Sequence, residues 1–298
     1  MAPSMPDWPP TREPLIRRVM TAFRKMHGLG NDFVVFDARN GSFALDEAAA
    51  RAIADRRFGI GCDQVIVIER SVNGADAAMR IFNADGDEVE ACGNAARCVA
   101  RLLLGEKDTT AVSIDTMGGR LVCTDAAGDA VTVDMGEPRL DWQDIPLSQR
   151  IDTRHFPLDI DGRLFEASAV SVGNPHCVLF VADAERAPVA EVGARIETHP
   201  LFPARTNVEF ASVTTRQRLR MRVWERGVGI TRACGTGACA TAVAAQRRGL
   251  ADRRVEIVLD GGVLGIEWRE ADNRILMTGG ATLAYTGEID FAALEPRP

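Results

Sequence analysis

The residues best placed to do chemistry are two cysteines in matching settings. Cys92 and Cys234 each precede a glycine at the head of an alanine-rich run, in ACGNAARCVARLL (residues 91–103) and ACGTGACATA (residues 233–242). Glycine lets a backbone approach a ligand closely and alanine favours helix, so each cysteine is expected at a helix N-terminus. The unpaired N–H groups and positive dipole end there favour a thiolate over a thiol and can hold a carboxylate. A thiolate and a thiol on opposite faces of one carbon can take a proton from one side and return one to the other, which inverts the centre. The backbone N–H groups of Gly93, Asn94, Gly235 and Thr236 are the expected anchors for a carboxylate and for the charge that develops as the proton leaves.

The competing reading is a redox or binding protein whose two cysteines form a switchable disulfide. No CxxC motif supports it. The other five cysteines, Cys62, Cys98, Cys123, Cys177 and Cys239, are expected to be packing residues.

Composition narrows the partners. A formal charge of −7 over 298 residues argues against non-specific binding to nucleic acid or an anionic membrane, both of which need a basic face, and leaves a small molecule as the expected partner. No apolar run approaches the roughly 18 residues of a membrane span, and the first residues lack a signal-peptide core, so a cytoplasmic protein is expected. Seven irregularly spaced cysteines and four scattered histidines suggest neither a disulfide framework nor a zinc site; no metal is expected. Lysine occurs only at Lys25 and Lys107, neither in a convincing setting for a pyridoxal phosphate Schiff base, and no cofactor is expected.

The elements that must position the cysteines follow from pattern. Residues 1–24 read as a mobile N-terminal extension, residues 25–31 as a glycine turn and 32–37 as a buried strand. A helix is expected over 46–56, strands over 65–68 and 78–82, then the Cys92 helix, and strands from 111 to 136. Residues 137–156 look like a connector. Strands resume near Ala167 and over 177–181, followed by a long loop with Pro188, Pro200 and Pro203, a strand over 219–224, the Cys234 helix, and a strand-and-turn tail over 255–289.

The two halves repeat in register. Asn31 and Asn174 are 143 positions apart, as are Gln64 and Asn207, Gly118 and Gly261, Val112 and Val255, and Leu121 and Leu264; Cys92 and Cys234 are 142 apart. Such register points to a duplicated domain. The expected fold is α/β in the broad sense (α+β): two pseudo-symmetric strand-rich domains, each a curved sheet or barrel around a central helix, meeting at a cleft that the cysteines face. The expected division assigns 25–137 plus 281–298 to the domain with Cys92 and 138–280 to the domain with Cys234.

Taken in order between residues 25 and 289, KMHGLGNDFVVFD, GCDQ, FNADGDEVEACGNAARC, SVGNPH, TNVEF and ERGVGITRACGTGACA resemble the diaminopimelate epimerase family. The resemblance implies a cofactor-independent isomerase, usually a homodimer, that interconverts LL- and meso-diaminopimelate in lysine and peptidoglycan-precursor biosynthesis. Matched by motif, Cys92 and Cys234 are the acid and base pair, with Cys234 the thiolate that meets the LL substrate. Asn31, Gln64, Asn83, Asn174, Asn207, Glu225 and Arg226 are the implied substrate ligands, with Arg226 suited to pair with the non-reacting carboxylate. His176 and Glu225 match residues that tune the thiols. The chain departs from the family pattern at Ile230, where a glutamate is usual, and at Ala95, where a glycine is usual. A proline racemase of the same architecture would also use two cysteines, but its substrate has no second amino-acid end for Arg226 and the asparagines to bind.

Oxidation that joins Cys92 to Cys234 is expected to abolish activity and reduction to restore it. Activity followed alongside peptide mapping checks this; full activity in the mapped disulfide form would contradict it.

Overall fold

The computed structural model describes residues 20–41, 45–90, 92–291 and 294. The first half runs β1 (Met20–Gly28), β2 (Asn31–Asp37), α1 (Glu47–Ala54), β3 (Gln64–Glu69), β4 (Ala77–Asn83), α2 (Gly93–Lys107), β5 (Ala111–Thr116), β6 (Gly119–Asp125) and β7 (Ala130–Asp134). After β8 (Phe156–Ile160) the second half repeats that order: β9 (Arg163–Ser171), β10 (Pro175–Phe180), α3 (Val189–Glu197), β11 (Asn207–Thr215), β12 (Arg218–Glu225), the short β13 (Gly229–Thr231), α4 (Gly235–Arg247), β14 (Arg254–Leu259), β15 (Gly262–Trp268) and β16 (Ile275–Gly280). A last strand, β17 (Thr282–Asp290), follows.

Strand pairing makes the repeat explicit. From β1 to β7, neighbours pair antiparallel, parallel, antiparallel, parallel, antiparallel, antiparallel. The series β9, β10, β11, β12, β14, β15, β16 has the same senses in the same order. Each parallel step needs a crossover, and these are α1 and α2 in one half, α3 and α4 in the other. The halves join where β7 pairs antiparallel with β16. They also exchange their ends: β17 pairs with β1 of the first half, and β8 pairs with β9 of the second.

Side-chain alternation assigns the strand faces. In β2, Phe33 and Val35 pack into the large central core while Val34 and Phe36 pack beneath α1. In β10, Val178 points to the central core and Cys177 and Leu179 to the core beneath α3. The period of two and burial on both faces account for the apolar runs of these strands. α2 and α4 sit inside the central core, and α4 is buried from Gly237 to Ala245. Small residues nearly all round suit a helix enclosed by its sheet.

Several expectations are corrected. Residues 20–24, expected in the extension, form the start of β1 and pair with β17, while residues 1–19 lie outside the described residues. Lys25 to Gly28 continue that strand, so the turn shrinks to Leu29 and Gly30, both at positive φ (57° and 84°). The long proline loop contains α3, which starts after Pro188 and keeps Gly193 at its middle because a Cβ there would lie 2.6 Å from the Trp224 Cβ. Pro188, read as part of a loop, here serves an N-terminus, and Gly193 a close packing contact. Each half therefore has an outer helix in addition to the central one. Strands resume at Phe156, before Ala167, and Ile145 and Leu147 of the connector are buried in the second half's outer core.

The five packing cysteines are buried. Burial pushes the Cys62, Cys98, Cys123 and Cys239 thiols up to about 12 and Cys177 well above the ordinary thiol value. Above the unfolded thiol pKa the folded chain therefore holds more protons than the unfolded one. These thiols leave stability unchanged below that point and lower it as pH rises beyond about 8.5, by about 1.4 kcal/mol per pH unit for each. Denaturant melts of a protein with Cys98 and Cys239 changed to Ala should show a shallower alkaline decline; an identical slope would refute this origin.

Candidate active site

The N-termini of α2 and α4 meet at the seam between the halves. Cys92 and Cys234 occupy the N-cap positions in extended conformation (φ −145° and −122°), and neither helix has an acidic residue in its first turn. α1 differs: Asp46 caps it and Glu47 follows. The dipole ends of α2 and α4 thus lack a carboxylate and remain able to receive one. Glycine is needed for the approach. A Cβ on Gly93 would lie 2.7 Å from Met277 Cε, and one on Gly235 would lie 3.0 Å from Met277 Sδ and 3.5 Å from Asn94 Oδ1.

Around Cys234 runs a buried polar chain. Glu209 Oε1 is 2.7 Å from His176 Nδ1, and His176 Nε2 is 2.9 Å from Asn174 Oδ1. Asn174 Nδ2 donates to Thr236 Oγ1 at 3.5 Å, and that hydroxyl lies 3.6 Å from Cys234 Sγ. His176 and Glu209 have no solvent exposure, so the imidazole is fixed between two oxygens and fixes Asn174 in turn. Glu225 accepts from Thr231 Oγ1 and hydrogen-bonds Cys234. Burial pushes the Glu225 carboxyl up against the pull of these two hydrogen bonds and of His176.

Around Cys92 the chain has the same positions and different chemistry. Asn94 Nδ2 donates to Asn31 Oδ1 at 3.1 Å, and Asn31 Nδ2 donates to Asp63 Oδ2 at 2.9 Å. Cys92 Sγ is 4.0 Å from Asn31 Oδ1. Asp63 is held by Arg56, which also binds Asp32, and Asp32 pairs with the buried Lys25. Behind Asn94, Arg97 Nη2 donates to its Oδ1 at 2.9 Å.

The remaining expected ligands divide. Gln64 Nε2 donates to Asn83 Oδ1 at 2.9 Å and leaves its own Oε1 buried without a partner. Asn207 is engaged at both ends of its amide, donating to the Pro175 carbonyl and accepting from the Arg226 backbone N–H, so it shapes the loop that carries Arg226. The Arg226 guanidinium donates to the Ala204 carbonyl at 3.0 Å. Ile230 is 46% exposed opposite Trp224 in the β12–β13 pair, while Ala95 is fully buried.

Glu209, Thr231, Asp63 and Arg97 were not legible as site residues. Glu209 could have been found: it lies between Val208 and Phe210 in a buried strand, on the face that alternation turns toward the central core.

The Cys92 and Cys234 thiols are both pushed above the ordinary value, first by burial. At Cys92 the N–H groups of Ala95 and Asn94 and the charge of Arg97 oppose this, and Glu225 adds to it. At Cys234 both Glu225 and Glu209 add to it, with only Thr236 and the Gly237 N–H opposing, and the thiol is driven well above the ordinary range.

Two-lobed, pseudo-symmetric folds of this kind recur in solved structures. The chain is similar to a phenazine biosynthesis protein of the PhzF family from Bacillus anthracis (TM-score 0.65, 14% identity, covering 91% of this chain and 99% of that one). It is also similar to a hydroxyproline epimerase from Agrobacterium vitis (TM-score 0.62, 17% identity, covering 92% of this chain and 93% of that one). At these identities the likeness defines the class of fold. Sequence is more specific: the model of the family described as diaminopimelate epimerase matches residues 23–140 and 168–284, one block in each half. Diaminopimelate epimerases from Erythrobacter litoralis (55% identical over 91% of this chain and 97% of the relative) and Rhodospirillum centenum (53% over 91% and 93%) are similar throughout. The chain belongs to the diaminopimelate epimerase family.

A Cβ on Gly237 would lie 2.7 Å from Glu209 Oε1 and 3.2 Å from Cys234 Sγ. Gly237→Ala gains about 1 kcal/mol of helix propensity but presses a methyl on a buried carboxylate, an overpacking cost of about 1–3 kcal/mol. Net destabilisation and slower alkylation of Cys234 are expected from thermal melts and thiol labelling; a more stable variant with normal Cys234 reactivity would contradict this geometry.

Proposed function

We infer that the protein is a diaminopimelate epimerase, interconverting LL-2,6-diaminopimelate and the meso form at one α-carbon by exchange of protons with Cys92 and Cys234. The observation that carries the reading is the placement of two cysteines at the N-caps of equivalent helices whose N-termini meet. The thiolate on one face takes the α-proton and becomes a thiol. The electron pair left on the carbon delocalises into the adjacent carboxylate, which the helix N-terminal N–H groups of Gly93, Asn94, Gly235 and Thr236 can hold. The opposite thiol then gives its proton to the other face and becomes the thiolate. Proton count and charge are unchanged over the cycle, and the two cysteines have exchanged roles.

Within this reading, Asn31, Asn174, Gln64 and Asn83 line the substrate's polar groups, Arg226 meets the distant carboxylate, and His176 and Glu225 tune the Cys234 side. Glu225 is placed for that task by its hydrogen bond from Thr231 and its position beside Cys234, where its charge pushes the thiol up. We further propose that the domain division is 25–137 with 281–298 and 138–280, that the protein acts as a homodimer, and that it works in the cytoplasm. Among the described residues no helix is long and apolar enough to cross a membrane.

The test is α-proton exchange with deuterated water. Wild type should exchange the α-protons of LL- and meso-diaminopimelate, and Cys92→Ala and Cys234→Ala should each lose epimerisation by a factor of about 10² or more. Exchange of proline but not diaminopimelate would replace this substrate with the shorter one, and a cysteine variant that still epimerises would end the two-thiol mechanism.

A further inference from the structure

Arg97 is an arginine with no solvent exposure and no carboxylate partner among the described residues. Its three hydrogen bonds go to neutral acceptors: Nη2 to Asn94 Oδ1 at 2.9 Å, Nε to the Gly280 carbonyl at 3.4 Å, and Nη1 to Met277 Sδ at 3.6 Å. The site is built for it. A Cβ on Gly28 would come within 2.9 Å of Nη2, and one on Gly279 within 3.2 Å of Nε. One of these glycines belongs to β1 of the first half and the other to β16 of the second, so the guanidinium sits in the seam itself. Leaving a buried charge uncompensated costs several kcal/mol, and an apolar side chain of similar size would be the more stable choice. A stable fold alone does not explain its presence.

The surroundings indicate what it serves. Burial acts most on Arg97, followed by four thiols: Cys98, Cys92, Cys239 and Cys123. Three of these are buried packing residues, held protonated by desolvation. Cys92 differs from them in standing at a helix N-cap, where the N–H groups of both Ala95 and Asn94 support it and Asn94, held by Arg97, bonds Asn31 beside its sulfur; Glu225, across the seam on β12, acts against it. The second half has no counterpart: the position equivalent to Arg97, 142 residues on, is Cys239. There, Glu209 and Glu225 place negative charge beside Cys234 instead.

We propose that Arg97 is a positioning residue for the first reacting thiol, its buried guanidinium orienting the Asn94 amide and supplying the counter-charge that lets Cys92 carry negative charge. The readier thiolate of the free protein is then Cys92, with Cys234 the proton-bearing partner, the reverse of the order carried over from the sequence motifs. This deepens the epimerase reading and rests on it for its functional meaning.

The test uses no substrate, so its outcome is independent of whether the epimerase assignment holds. Full-length protein is labelled with iodoacetamide from about pH 6 to about pH 10, and the modification rate of each cysteine is followed by peptide-resolved mass spectrometry. In wild type, Cys92 should titrate about one unit or more below Cys234. Arg97→Met should fold with an unchanged or higher Tm, raise the Cys92 midpoint by about one unit, and leave Cys234 where it was. Arg97→Lys keeps the charge and should restore most of the Cys92 shift. A Cys92 profile unmoved by Arg97→Met overturns the proposal. So does a wild-type order with Cys234 below Cys92, a readout available even if the variants fail to fold.

Discussion

The constraint on which this structure depends is the meeting of two helix N-termini. The positive ends of α2 and α4 point into one seam, with no acidic residue in either first turn and a cysteine at each cap. Like dipole ends repel unless something negative stands between them. The surrounding architecture holds the arrangement in place: both helices are enclosed crossovers, the β7–β16 pairing closes the seam behind them, and Gly93 and Gly235 allow close packing on Met277. Negative charge placed there, such as a carboxylate, relieves the repulsion. The site is organised to want negative charge before substrate arrives.

Symmetry supplies the position of each part, and departures from it supply the chemistry. Asn31 and Asn174 stand in equivalent places, as do Asn94 and Thr236, yet the first chain ends on Asp63 and Arg97 and the second on His176 and Glu209. In the proposed exchange one thiol holds the proton while the other does not, and unlike buried groups on the two sides can set which one does. Duplication produces two thiols, and divergence of buried charge around them makes one differ from the other.

Much of this was legible in the residue order. The repeat at 142 to 143 positions, the helices at Cys92 and Cys234 and the α+β class follow from glycine, alanine and alternating apolar residues, whose meaning is local. α3 was hidden because Pro188, Pro200 and Pro203 read as a loop, and only Trp224, far along the chain, shows why Gly193 stands inside a helix. β1 was truncated because its polar residues alternate with buried ones only once β17 lies against it. Arg97 stayed out of view for the same reason. Ordinarily a charged residue belongs to the surface, and only the enclosing strands show this one to be buried.

The exchange of end strands has a further consequence. β17 follows the second half in the chain yet completes the first beside β1, and β8 follows the first half yet completes the second beside β9. One copy of the repeat, cut from the chain, would carry an edge that its own last strand does not cover. It would be complete only when a second copy lent that strand, which is the logic of a swapped dimer. The present chain carries that exchange within one polypeptide, so its halves are tied by topology as well as by packing.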